Sequence, residues 1–177
     1  IDLKINSLRN LKKFIDKNFE KAVNAIIDCQ SKIILCGVGK SGLISAKIAS
    51  TLSSIGSPAF SLSANDCLHG DLGSITKKDI LILISNSGKS DELIPIIKFA
   101  NRNKIKLIGI VSKKNSFLYK ASDIKILMPE VKESGLGIVP TSSTSIQLAM
   151  GDALAIAALK KNNLVNMIFL DYTLVEI

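Results

Sequence analysis

The stretch that most constrains the fold is Ile80-Leu81-Ile82-Leu83-Ile84, five consecutive aliphatic residues that stop abruptly at Ser85-Asn86-Ser87-Gly88-Lys89-Ser90-Asp91-Glu92. A strand exposed on one face alternates apolar with polar residues. An unbroken apolar run reads instead as a strand buried on both faces, as in the middle of a parallel sheet. The segment after the polar turn, Leu93-Ile94-Pro95-Ile96-Ile97-Lys98-Phe99, is apolar-rich and helical in pattern. A buried strand that ends in hydroxyls at a helix N-terminus suits a small anion such as a phosphate, which takes hydrogen bonds from free backbone N–H groups and serine hydroxyls.

The flanking segments supply further strands and helices in alternation. Leu11, Phe14, Ile15, Phe19, Ala22, Val23, Ile26 and Ile27 recur at helical spacing and predict one amphipathic helix over Leu11–Ile27. Strands are predicted at Lys32–Cys36, Ala59–Leu62, Ile80–Ile84, Lys106–Val111 and Ile124–Leu127. Between the first two, a glycine-rich turn leads into a helix carrying Leu43, Ile44, Ala46, Ile48, Ala49 and Leu52, which stops near Gly56. The polar stretch Ser63–Gly73 follows the second strand, and an Ala-rich helix is predicted from Ser145 to Lys161, capped by the hydroxyls of Thr141–Thr144. Alternation of this kind predicts an α/β fold: a three-layer, doubly wound, flavodoxin-like parallel sheet of about five strands with helices on both faces. The expected organisation is a single domain over residues 1–177, with an N-terminal helix (1–30), an α/β core (31–162) and a tail (163–177) that has no firm pattern.

Composition narrows the functional classes. The 47% of hydrophobic residues in 177 suffices for one core. The net charge of +8 comes almost wholly from dispersed lysines, with arginine only at Arg9 and Arg102, which argues against a nucleic-acid partner. No apolar run approaches the length of about 20 residues that spans a bilayer, so no membrane partner is expected. Cys29, Cys36 and Cys67 have no metal-like spacing, and a reduced, cytoplasmic protein without a metal site is the expectation.

Gly37-Val38-Gly39-Lys40-Ser41-Gly42 matches G-x-G-x-x-G after a strand. A dinucleotide fold also wants an acidic residue near the end of the second strand, and none occurs between Gly42 and Asp66. A nucleoside triphosphate loop wants a glycine where Ile34 stands. What is left is a turn whose backbone can approach a ligand closely, with Lys40 beside it. His69 is the only histidine, in a loop after a strand with Asp66 and Asp71 nearby. Glu92 stands where a helix dipole favours an acid, and Glu133 precedes the Ser134-Gly135-Leu136-Gly137 loop.

In combination, the Gly37–Gly42 turn, His69-Gly70-Asp71-Leu72-Gly73, Ser85-Asn86-Ser87-Gly88-x-Ser90-x-Glu92, Pro140-Thr141-Ser142-Ser143-Thr144 and Met150-Gly151-Asp152-Ala153-Leu154-Ala155 strongly resemble the sugar isomerase (SIS) domain of arabinose-5-phosphate isomerases. The resemblance runs in order from about Lys32 to Lys160. It implies interconversion of D-arabinose 5-phosphate and D-ribulose 5-phosphate, on the route to 3-deoxy-D-manno-octulosonate and lipopolysaccharide, without a cofactor. By motif match it implies that Lys40 stabilises the enediolate, that His69 helps open or polarise the sugar, and that Glu92 or Glu133 moves the proton. Gly39, Ser41, Ser85, Asn86, Ser87, Ser90, Thr141 and Ser142 would bind the substrate and its phosphate. It further implies a homo-tetramer or dimer with active sites at subunit interfaces.

The chain departs from the family pattern in specific places. The family's Ser-His-Pro-Gly-Gly run is absent at the corresponding Tyr172-Thr173, the loop from Glu133 to Pro140 is about one residue shorter, and no paired CBS domains follow. These departures leave two further expectations open, a sugar-phosphate-binding module with weak or no turnover and an isomerase for another ketose phosphate.

Overall fold

The computed structural model describes residues 1–161. The elements, in chain order, are α1 (Asp2–Leu11), α2 (Lys17–Ile27), β1 (Ile33–Gly37), α3 (Lys40–Ser54), β2 (Ala59–Ser63), α4 (Ala64–Leu68), β3 (Ile80–Ile84), α5 (Leu93–Arg102), β4 (Lys106–Val111), α6 (Phe117–Ala121), β5 (Ile124–Leu127) and α7 (Ser142–Lys161). The five strands form one parallel sheet in the order β2-β1-β3-β4-β5, with β3 at its centre and every residue of β3 buried. This is the doubly wound α/β architecture expected from the sequence.

Residues along each strand alternate between two cores, one on each face of the sheet. Ile33, Leu35, Ile80, Ile82, Ile84, Ile108 and Ile110 pack with α2, α3 and α7, whereas Ile34, Cys36, Leu81, Leu83, Leu107 and Val111 pack with α4, α5 and α6. A strand covered on both sides has no face left for polar residues, which is why β3 reads as an unbroken aliphatic run. The helices lie close where glycine allows it. A Cβ on Gly151 of α7 would fall 2.2 Å from Cδ1 of Ile48 on α3, and one on Gly109 of β4 would fall 2.3 Å from the Ser122 hydroxyl.

The structure corrects three local expectations. The helix expected over Leu11–Ile27 is two elements: α1 continues into a 3-10 turn at Lys12–Phe14, the backbone extends at Ile15, and α2 starts afresh. The Asp16 carboxylate accepts the N–H groups of Asn18 (2.8 Å) and Phe19 (3.1 Å), a capping arrangement that competes successfully with helix continuation. Spacing alone hid the break, because the apolar residues on either side keep similar intervals. The polar stretch Ser63–Gly73 folds into α4, capped by Ser63 accepting from the Asp66 N–H, and a 3-10 turn at Asp71–Ser74. Helix α7 begins at Ser142 rather than Ser145, because a carboxylate distant in sequence caps it.

Candidate functional site

The crevice that positions the candidate residues opens at the C-terminal ends of β1 and β3, paired neighbours with Gly37 opposite Ile84. The chain leaves β1 toward β2 at one side of the sheet and leaves β3 toward β4 at the other, which makes this the switch point where open α/β sheets bind ligands.

The turn after β1 is built on glycine. Gly39 has φ +57° and ψ −124°, a conformation that disfavours any side chain. A Cβ at Gly37 would meet the Ser41 backbone at 2.8 Å, and one at Gly42 would meet the Gly37 carbonyl oxygen at 2.8 Å. The G-x-G-x-x-G pattern here therefore serves a tight strand-to-helix turn. Lys40 opens α3, is exposed, and forms no ion pair among the described residues. Ser41 is half-buried, and its hydroxyl lies 3.2 Å from Oε1 of Gln147 on α7.

The loop after β3 is held from within and from β4. The buried Ser85 Oγ accepts the Gly88 N–H at 3.0 Å and sits 3.2 Å from Ser90 Oγ. Asn86 is tied to the β4 side twice: its Oδ1 accepts the Ser112 hydroxyl (2.8 Å) and its carbonyl the Ser112 N–H (3.1 Å). Gly88 has φ +63°, and a Cβ there would lie 2.2 Å from the Ser116 hydroxyl, so the loop rests directly on the start of α6. Ser87 and Asn86 are exposed, and among the described residues their N–H groups have no protein acceptor. The loop thus combines a rigid base with outward-facing donors, an arrangement suited to an anion.

Glu92 stands at the N-cap of α5 without capping it. It is exposed and lines a cavity of about 420 Å³ together with Gly37, Gly39, Gly42, Ser61, Ser63 and Asn65. Ser87 instead faces a separate cleft of about 660 Å³ that also includes Lys89, Ser112 and Lys114. Lys40 and His69 line neither space, and His69 is exposed at the end of α4.

Glu133 is placed differently from Glu92. Its Oε2 accepts the N–H groups of Thr141 (2.7 Å), Ser142 (2.7 Å) and Ser143 (3.3 Å) and the Thr141 hydroxyl (3.1 Å). It is the cap of α7, supplied from across the loop. Burial pushes its carboxyl upward, but the Ser143 hydroxyl and the N–H groups of Thr141, Ser143 and Ser142 outweigh burial and hold it below the usual range. Thr141 also accepts the Ser134 N–H at 2.9 Å, and the fully buried Ser142 Oγ has no partner among the described residues.

The structure therefore brings Gly39 and Glu92 to one cavity and gathers Glu133, Thr141 and Ser142 at the start of α7. It ties Ser41 to α7 and leaves Ser87 on the neighbouring cleft. Sequence reasoning passed over Gln147, Ser112 and the cavity-lining Ser61, Ser63 and Asn65. Gln147 did carry a signal: it interrupts the otherwise apolar series Ile146, Met150, Leu154 on α7. Among the described residues, no helix is long and apolar enough to cross a membrane, and no group of three or more His, Cys, Asp or Glu is placed to hold a metal ion. The family's second histidine would fall near Tyr172-Thr173, outside the described residues.

Comparison with known proteins agrees with this geometry. The model of the SIS domain family matches residues 26–157. Arabinose 5-phosphate isomerase KdsD of Yersinia pestis is 43% identical over 161 residues, covering 90% of this chain and 49% of the relative. KdsD of Francisella tularensis subsp. tularensis is 44% identical over 165 residues, covering 91% and 50%. The chain thus spans about half the length of these curated relatives. Among solved structures, the c3406 protein of E. coli CFT073, in complex with arabinose 5-phosphate, superposes with a TM-score of 0.87 at 32% identity, covering 96% of this chain and 93% of that one. With the family model spanning most of the residues described here, from the end of α2 well into α7, the chain belongs to the SIS domain family.

Proposed function

We propose that this protein is an aldose–ketose isomerase interconverting D-arabinose 5-phosphate and D-ribulose 5-phosphate, with Glu92 as the carboxylate that moves the proton. The observation that carries the reading is the cavity at the β1/β3 switch point, which presents Glu92 across from the Gly37–Gly42 turn. The relatives named KdsD, and a fold neighbour in complex with arabinose 5-phosphate, support this choice of substrate.

The chemistry needs a base that shuttles a proton between the two carbons nearest the carbonyl end, and a positive group for the enediolate oxygen. Glu92 has no side-chain partner among the described residues and is open to the cavity. Glu133 already accepts four donors on one oxygen, and a carboxylate held below its usual range is the poorer base. In this reading Glu133 organises the start of α7. Lys40 stabilises the enediolate, His69 assists ring opening, and Ser41, Ser87 and Ser90 take the phosphate with the Asn86 and Ser87 amides. Ser85 shapes the phosphate loop from beneath.

Leu43, Leu136, Ile138 and Val139 are exposed around this crevice at 73%, 91%, 78% and 53%. We assign them to contacts between copies of the chain in a dimer or tetramer. The route on to lipopolysaccharide and the cytoplasmic setting follow from the same assignment. The test is turnover of D-arabinose 5-phosphate by the wild type, Glu92→Gln and Glu133→Gln. The reading expects loss of turnover with retained ligand binding in Glu92→Gln. Undiminished turnover in that variant transfers the role to Glu133.

A further inference from the structure

Gln147 is only 1% exposed, yet it carries a primary amide into the core between α7 and α3. Burying such a group is unfavourable unless it is hydrogen-bonded, and the apolar neighbours Ile146, Met150 and Leu154 could pack as well against a leucine. Its side-chain partner is the Ser41 hydroxyl, 3.2 Å away across the helix pair. Ser41 opens the crevice side of α3, next to the glycine turn, and its own backbone is fixed by N–H donation to the Val38 carbonyl at 3.2 Å.

We infer that Gln147 is a positioning residue that sets the direction of the Ser41 hydroxyl proton and so its capacity to donate to the phosphate of a sugar phosphate. A serine hydroxyl has one proton and two lone pairs. With the proton given to Gln147 Oε1, Ser41 can offer a phosphate only lone pairs, which repel it. A half-turn of the amide presents Nε2–H to Ser41 Oγ instead, and the Ser41 proton is released toward the crevice. The two arrangements share nearly the same heavy-atom positions, so an anion selects between them without moving either helix. In the second, donors run in one direction from amide to hydroxyl to phosphate, and each polarises the next.

This inference rests on the sugar-phosphate reading above. The experiment is isothermal titration of inorganic phosphate and of D-arabinose 5-phosphate into the wild type, Gln147→Leu, Gln147→Glu and Ser41→Ala, together with KM and kcat for each. In Gln147→Leu, affinity for both ligands should fall roughly ten- to a hundredfold, as for loss of a charge-assisted hydrogen bond, with the cost appearing in KM more than in kcat. Gln147→Glu should bind more weakly still at neutral pH and recover toward acid pH, where its carboxyl regains a proton to donate; a merely structural role would show no such pH dependence. Adding Ser41→Ala to Gln147→Leu should cost little more than either change alone. Folded Gln147 variants with wild-type affinities overturn the inference and leave the isomerase reading intact. A wild type that binds neither ligand overturns both. Should Gln147→Leu fail to fold, Gln147→Glu and its pH profile decide the matter.

Discussion

Single residues show how differently two carboxylates of one chain are used. Asp79 is buried at the far end of the sheet from the crevice, where its Oδ2 meets the Lys32 ammonium at 2.8 Å and the Thr76 N–H at 2.6 Å. Burial raises its carboxyl, but Lys32, Thr76 and Ser31 outweigh burial and bring the pKa down to about 2. Because the folded value lies below the unfolded one, near about 3.9, the stabilisation is complete above that value and is lost as pH falls toward 2. Asp79→Asn should therefore lower stability by about 1–3 kcal/mol at neutral pH, and the gap to wild type should close in acid; melting curves from pH 7 downward check this. The motif residues around the crevice were legible in sequence because each sits in a short local pattern. The roles of Glu133 and Gln147 were not, since a cap supplied across a loop and a hydroxyl partner on another helix depend on contacts that only the assembled fold creates.

At the scale of elements, helix contacts and loop conformation depend on a few glycines. Gly151 lets α7 approach Ile48 of α3, and that crossing also aligns Gln147 with Ser41. Gly151→Ala should cost roughly 1–3 kcal/mol, because Ile48 is buried and has little room to yield; chemical denaturation reads the loss, and Gly151→Leu should prevent folding. Strand and helix positions were largely readable from periodicity, β3 above all. The errors fall at boundaries: the α1–α2 break at Ile15-Asp16, the short α4, and the three residues by which α7 starts early. In each place a side-chain acceptor, Asp16, Ser63 or Glu133, decides where the helix begins, and such contacts compete locally with the apolar spacing that periodicity measures.

For the whole molecule, the strand order places the glycine turn and the serine loop side by side, which no single motif could specify. The exposed apolar residues around the crevice lead to a further expectation: light scattering at micromolar concentration should give a dimer or tetramer. Replacing Leu136 and Ile138 by aspartate should shift the protein toward monomer, and a monomeric wild type would count against shared sites. The central claim is that the crevice isomerises a pentose phosphate through Glu92. It is tested most directly by following D-arabinose 5-phosphate to D-ribulose 5-phosphate with the purified protein while recording the melting temperature with and without the sugar phosphate. The account predicts turnover and a stabilising shift in the wild type, and a shift without turnover in Glu92→Gln. A wild type that is stabilised but never turns over would make the crevice a binding site only, and full activity in Glu92→Gln would contradict the mechanism outright.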